Sequence, residues 1–150
     1  MRIFTNTRTW RVQFILWLFA ALTILFAVMA LYGLATGDEG NAAVGGILTP
    51  IMLVSTGGME LYARRYVTSI DSVDKAITLT TRSLTGVHVH HGAADLGPLR
   101  NLMTLSFAES GVQSTNTSHF TLKLQPANKN YIVDVTSDPK LADRLRTAFQ

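Results

Sequence analysis

Two long apolar runs, parted by a short polar turn, dominate the first half of the chain. Residues 12–35 (VQFILWLFAALTILFAVMALYGLA) hold no charged side chain, and Gln13 at the edge is their one strongly polar residue. A bilayer core is crossed by roughly 20 apolar residues at a helical rise of about 1.5 Å each. The pattern therefore predicts a transmembrane helix over 12–35. Residues 42–62 (AAVGGILTPIMLVSTGGMELY) predict a second, less apolar one, with Gly45, Gly46, Gly57, Gly58 and a central Pro50. Small residues let helices approach closely in lipid, and proline is tolerated where neighbours satisfy the carbonyl it frees. With Ala20, Ala27 and Ala30 as small partners on the first helix, the expectation is a tight antiparallel hairpin kinked near Pro50. Residues 36–41 (TGDEGN) form the polar, acidic turn between them.

From Tyr66 the period changes to two. Strand-like runs fall at 66–71, 76–84, 87–90, 102–109, 119–126 and 131–137. Turns separate them at 72–75 and 127–130, with a Gly/Ala/Pro loop at 92–98 and a Ser/Thr/Asn loop at 110–118. Phe120, Leu122 and Leu124 share one face, opposite His119, Thr121 and Lys123, while Tyr131, Val133 and Val135 form the apolar face of the last strand. The period then changes once more. Asp138 suits a helix N-cap, Pro139 the first helical position, and Leu141, Leu145 and Phe149 fall at i, i+4 and i+8. The expected fold is a membrane α-helical hairpin (1–65) followed by a small antiparallel β domain (66–150). That domain is a bent sheet or open barrel, and a C-terminal helix over 139–149 covers it.

Charge placement gives the hairpin a direction. Arg2, Arg8, Arg11, Arg64 and Arg65 flank the spans on one side, whereas the turn between them carries only Asp38 and Glu39. The positive-inside rule then puts both termini in the cytoplasm, as a multi-pass protein of a bacterial inner membrane. Trp10 beside Arg11 suits the membrane–water interface. The basic N-terminus also resembles the n-region of a signal peptide. The apolar run, however, far exceeds the roughly 7–15 residues of an h-region, and no A-x-A-like site follows, so an uncleaved anchor is expected. Glu60 lies at the end of the second span, one turn before Arg64, which suggests an interfacial ion pair.

The balance of 13 Lys and Arg against 10 Asp and Glu, net +3, is too small to point to nucleic acid. The absence of cysteine excludes disulfides, thiolate metal sites and thiol nucleophiles. Neither G-x-S-x-G nor a phosphate-cradling glycine loop occurs. The Asn116-Thr117-Ser118 sequon would matter only in a eukaryotic lumenal domain.

The segments AITLTTRSL (76–84), GPLRNLMTLSF (97–107) and YIVDVTSDPKLADRLRTAF (131–149), in that order after a hairpin, resemble the pleckstrin-homology-like domains of bacterial membrane proteins. The resemblance implies a PH-like open barrel that serves protein association or docking on lipid surfaces, without catalytic residues. In architecture alone, a two-helix hairpin with a small β domain also resembles assembly factors and accessory subunits of respiratory or photosynthetic complexes.

One cluster could carry chemistry. Val87-His88-Val89-His90-His91 holds three of the 4 histidines, and on a strand His88 and His90 share a face. They could reach one divalent metal, with His119 as a third ligand and Asp95 or Glu109 adding a carboxylate. The plainer reading puts His88 and His90 on the solvated face of a strand whose Val87 and Val89 point inward, and no H-E-x-x-H signature argues otherwise. Response to pH is a middle course. Gly57 and Gly58 likewise have two readings, packing within the hairpin or contact with another membrane subunit. The sequence is thus read as a non-enzymatic accessory subunit or assembly factor of a larger membrane complex. Its expected partners are the bilayer and other integral subunits, self-association remaining open. Gly57, Gly58 and the strand face of His88 and His90 are the expected contacts. The alternative is a membrane-anchored metal or ligand sensor using His88, His90 and His119.

Overall fold

The computed structural model describes residues 2–73, 76–108, 111–126, 128–136, 138, 140, 141, 143, 144 and 147. It divides into two compact units, one formed by 10–63 with 83–85, the other by 1–9, 64–82 and 86–150.

In the first unit, α1 (Thr9–Thr36) has 28 residues and α2 (Glu39–Ala63) has 25. At about 1.5 Å per residue both exceed the roughly 30 Å of a bilayer's hydrocarbon core. Only 6% of the most apolar window of each helix is buried, so neither is the core helix of a soluble domain. Each is long and apolar enough to cross a membrane. Gly37 in the left-handed region (φ 74°) makes the reversal. Asp38 caps α2, its carboxylate accepting the Asn41 backbone N–H (3.1 Å) and side-chain amide (2.7 Å). This cap starts α2 three residues ahead of its expected beginning, and α2 continues through Pro50.

Backbone contact holds the helices together. A Cβ on Gly45 would stand 2.4 Å from the Ala30 nitrogen, and one on Gly33 2.3 Å from that of Ala42. Midway along, the Thr23 and Thr56 hydroxyls share a hydrogen bond at 2.9 Å, and the one that accepts it donates to the carbonyl four residues back in its own helix. Thus the small residues and hydroxyls do the packing in this pair.

The second unit is a six-stranded antiparallel sheet in sequence order, curled into a half-barrel. Its strands are β1 (Arg2–Thr5), β2 (Val67–Val73), β3 (Ala76–Ser83), β4 (Gly86–Ala108), β5 (Gly111–Gln125) and β6 (Lys129–Asp134). Phe4, Val67, Ile70, Ile77, Leu79, Phe120, Leu122, Leu124, Tyr131, Val133, Val135 and Leu141 form one core. A buried side chain of this size contributes about 1.5–3 kcal/mol. The curl brings β6 back to the start of β2, where the Ile132 N–H donates to the Arg65 carbonyl (2.8 Å).

The N-terminus and the two expected loops differ from the sequence expectation. Residues 2–5, read there only as a basic lead-in, form β1 and pair with β2, burying Phe4. Asn6 then turns the chain into α1: its side chain donates to the Val67 carbonyl, and its Oδ1 accepts the Arg8 N–H. The expected loop at 92–98 and, of the one at 110–118, residues 111–118 are strand, absorbed into β4 and β5, which pair from Ala93↔Gln125 to Ala108↔Gly111. The glycines that suggested a loop mark close backbone approach instead. A Cβ would meet the Gln125 carbonyl oxygen at 2.1 Å from Gly92 and that of Thr121 at 2.7 Å from Gly97, beside a bulge between Leu96 and Leu99. The C-terminal helix expected over 139–149 lies largely outside the described residues, Leu145 and Phe149 among them. The described residues Leu141, Asp143, Arg144 and Thr147 are helical; the Leu141 N–H donates to the Asp138 carbonyl and that of Arg144 to Lys140, and Leu141 enters the core.

Candidate functional site

The histidine strand points the opposite way from the plainer sequence reading. Val87 and Val89 are 61% and 52% exposed, and it is His88 and His90 that turn to the inner side. The reason lies in the neighbours. The His90 ring packs 4.9 Å from that of Tyr131, a core residue of β6, and its Nε2 lies 3.4 Å from the hydroxyl of fully buried Thr81 on β3. Burial lowers the His90 pKa, with His88, Lys129 and His91 adding repulsion, so His90 favours its neutral form. His91 faces outward, its Nδ1 2.9 Å from the Thr78 hydroxyl.

The three imidazoles proposed as a metal set do not converge. His88 and His90 stack at 6.5 Å between centroids with planes 21° apart, whereas ligation would aim a nitrogen of each at one point about 2.0–2.1 Å away. His119 precedes inward-facing Phe120 on β5 and so belongs to the other face of the sheet. Among the described residues no three His, Asp or Glu side chains gather as a metal-holding group. Asp95 is exposed, and Glu109 lies outside the described residues.

His119 instead pairs in register with Asp134 on β6. Asp134 is buried and accepts three hydrogen bonds: from the Tyr66 hydroxyl (2.9 Å), the Thr136 N–H (2.9 Å) and the Thr136 hydroxyl (2.6 Å). Burial pushes its pKa up, but the Thr136 and Tyr66 hydrogen bonds and the nearby His119 outweigh it, so the carboxyl ends below its ordinary value. The His119 Nδ1 is buried and has no hydrogen-bond partner among the described residues. Sequence reasoning missed this group. Its signal was a lone carboxylate in a β-branched run with a threonine two positions on, the spacing of a local side-chain turn.

No protein-family model matches the chain, and no curated protein or solved structure matches it either. Functional inference therefore rests on the geometry of these residues.

At the helix ends, Trp10 is exposed and the Arg11 guanidinium sits 5.6 Å from its ring centroid, within cation–π range. Glu60 Oε2 accepts the Leu84 backbone N–H (2.9 Å). Arg64 and Arg65 are exposed. Along α2, Gly57 and Gly58 behave unlike Gly45: a Cβ on either would meet nothing within 4 Å. Packing within the hairpin thus uses Gly33 and Gly45, and leaves Gly57 and Gly58 on a face of α2 turned away from α1.

Proposed function

We propose that this chain is a non-catalytic integral membrane protein that joins a larger membrane complex as an accessory subunit or assembly factor. The observation that carries this reading is the open face of α2. Gly57 and Gly58 cost helix stability and serve no contact within the hairpin, yet small residues are what a neighbouring helix in lipid packs against. The arginines at one end of the pair support the reading that both termini lie in the cytoplasm of a bacterial inner membrane. Pairing of β1 with β2 supports the same-side arrangement, since only an even number of crossings returns the chain to the side where it began. The sheet domain, PH-like by its resemblance, then docks on the cytoplasmic face of the same complex. The sensor alternative has no converging ligand set to favour it.

The test is extraction from native membranes in mild detergent, native-size separation and mass spectrometry of what co-migrates. The wild-type chain should run with a large complex in fixed stoichiometry. Gly57→Leu with Gly58→Leu should reduce that association several-fold while the protein still reaches the membrane. Migration of the wild type alone would overturn the accessory reading, and unchanged association of the double variant would remove the α2 face from it.

A further inference from the structure

The turn between β3 and β4 belongs with the helices. Residues 83–85 group with 10–63 and not with the rest of the sheet. The tie is Glu60, in the last turn of α2, whose carboxylate accepts the Leu84 backbone N–H (2.9 Å). The Ser83 and Thr85 hydroxyls bond to each other (2.9 Å), and Ser83 is buried. Where water is scarce, an unbonded N–H or hydroxyl is costly, so a turn with its polar groups tied off in this way suits a lipid boundary. α2 ends at Ala63, and Arg64 and Arg65 follow, as where a span meets the headgroups.

The strand that leaves this turn is apolar on its outer face. Val87 and Val89 both project away from the core and are exposed. Among the described residues, every other exposed large hydrophobic side chain falls between Trp10 and Leu61, on α1 or α2. Strand propensity alone does not call for valine here, since the same face of β3 uses Thr78 and Thr80. Farther along β4 the outer face passes to His91, Ala93 and Asp95, so its large apolar side chains are confined to the stretch beside the turn. Val87 is three residues from Leu84, which keeps it within about 10 Å at a strand rise of about 3.3 Å per residue. We propose that the β3–β4 turn and the outer face of β4 at Val87 and Val89 seat in the headgroup layer of the bilayer that the helices cross. The occupant is lipid because the patch continues directly from the membrane end of α2, and Glu60 sets the depth of the turn. This inference rests on the helix pair spanning a membrane, and not on the partner complex.

The cysteine-free sequence makes the test direct. Full-length single-cysteine variants Val87→Cys, Val89→Cys, Ala93→Cys, Lys129→Cys and Leu25→Cys are labelled with a fluorophore and reconstituted alone in vesicles of phosphatidylethanolamine and phosphatidylglycerol. All of these positions are exposed, so the label displaces no core side chain. Quenching by lipids carrying a nitroxide, on the headgroup or on the acyl chain, is compared with quenching by iodide in the water. Labels at Val87 and Val89 should be quenched by the headgroup nitroxide several-fold more than those at Ala93 and Lys129, and should be correspondingly protected from iodide. Adding Glu60→Ala should bring the Val87 label down towards the Ala93 level while the Leu25 label stays in contact with the acyl chains. A Val87 label as open to iodide as that at Lys129, with Leu25 still reached by lipid, would overturn the proposal alone. So would protection from iodide without lipid quenching, which means that protein covers the patch. Unchanged lipid quenching in the Glu60→Ala background would overturn Glu60 as the tie. If lipid fails to reach Leu25, it is the membrane reading that falls, and this inference with it.

Discussion

Asp134 is the residue on which the sheet's polar economy turns, because one buried carboxylate satisfies Tyr66 and both donors of Thr136. Asp134→Ala leaves those donors without an acceptor, and a buried unsatisfied donor costs about 1–3 kcal/mol. Denaturant unfolding of the purified chain should show a loss of at least that size. The carboxyl's folded pKa is depressed, so its contribution is fully present above the unfolded value and lost as pH falls through the folded one. His90 acts in a higher window. Its folded pKa also lies below the unfolded value, so the folded state takes up its proton less readily than the unfolded chain. Stability is therefore retained above the ordinary imidazole pKa and declines as pH falls from there through the folded one. Thermal unfolding followed against pH should show this decline, and His90→Gln should abolish it while leaving the more acidic loss due to Asp134. The alternation around His88 and His90 was legible in the sequence, but which side of it faces the core was not. Local hydrophobicity favours burying Val87 and Val89; the ring of Tyr131, supplied from β6, decides otherwise.

Among the elements, the helices were the most legible, since length and apolarity alone specify them. Their ends moved by a few residues where a side chain intervened, as Asp38 does by capping α2. The part played by individual glycines was not legible, because Gly45 and Gly57 look alike in sequence and differ only in what stands beyond them. Gly45→Ala sets a methyl against the backbone of Ala30, where no flexible side chain can give way. It should destabilise the helix pair by about 1–3 kcal/mol, as overpacking does, whereas Gly46→Ala should be neutral or stabilising. Unfolding in mixed micelles of graded denaturant distinguishes the two. The strands were legible where alternation is strict, as in β3, β5 after His119, and β6. They were missed where backbone pairing overrides side-chain preference: Gly92 and Gly97 resemble loop residues in composition but lie where β5 comes too close for a Cβ.

For the whole molecule, the proposed orientation makes a simple demand. A membrane-impermeant thiol reagent applied to intact cells should label Gly40→Cys, in the reversal between the helices, and should leave Thr147→Cys unlabelled until the cells are opened. The reverse pattern would invert the topology. Order of synthesis adds a constraint of another kind. Arg2 pairs with Asp71, 69 positions later in the chain, and both helices are made in between. At about 5–20 residues per second, the first strand is made roughly 3–14 s before its partner exists. Only a chain whose two helices have been delivered to the right place then brings the ends of that interval together. A copy whose helices keep those ends apart is left with an unfinished sheet edge beside β2.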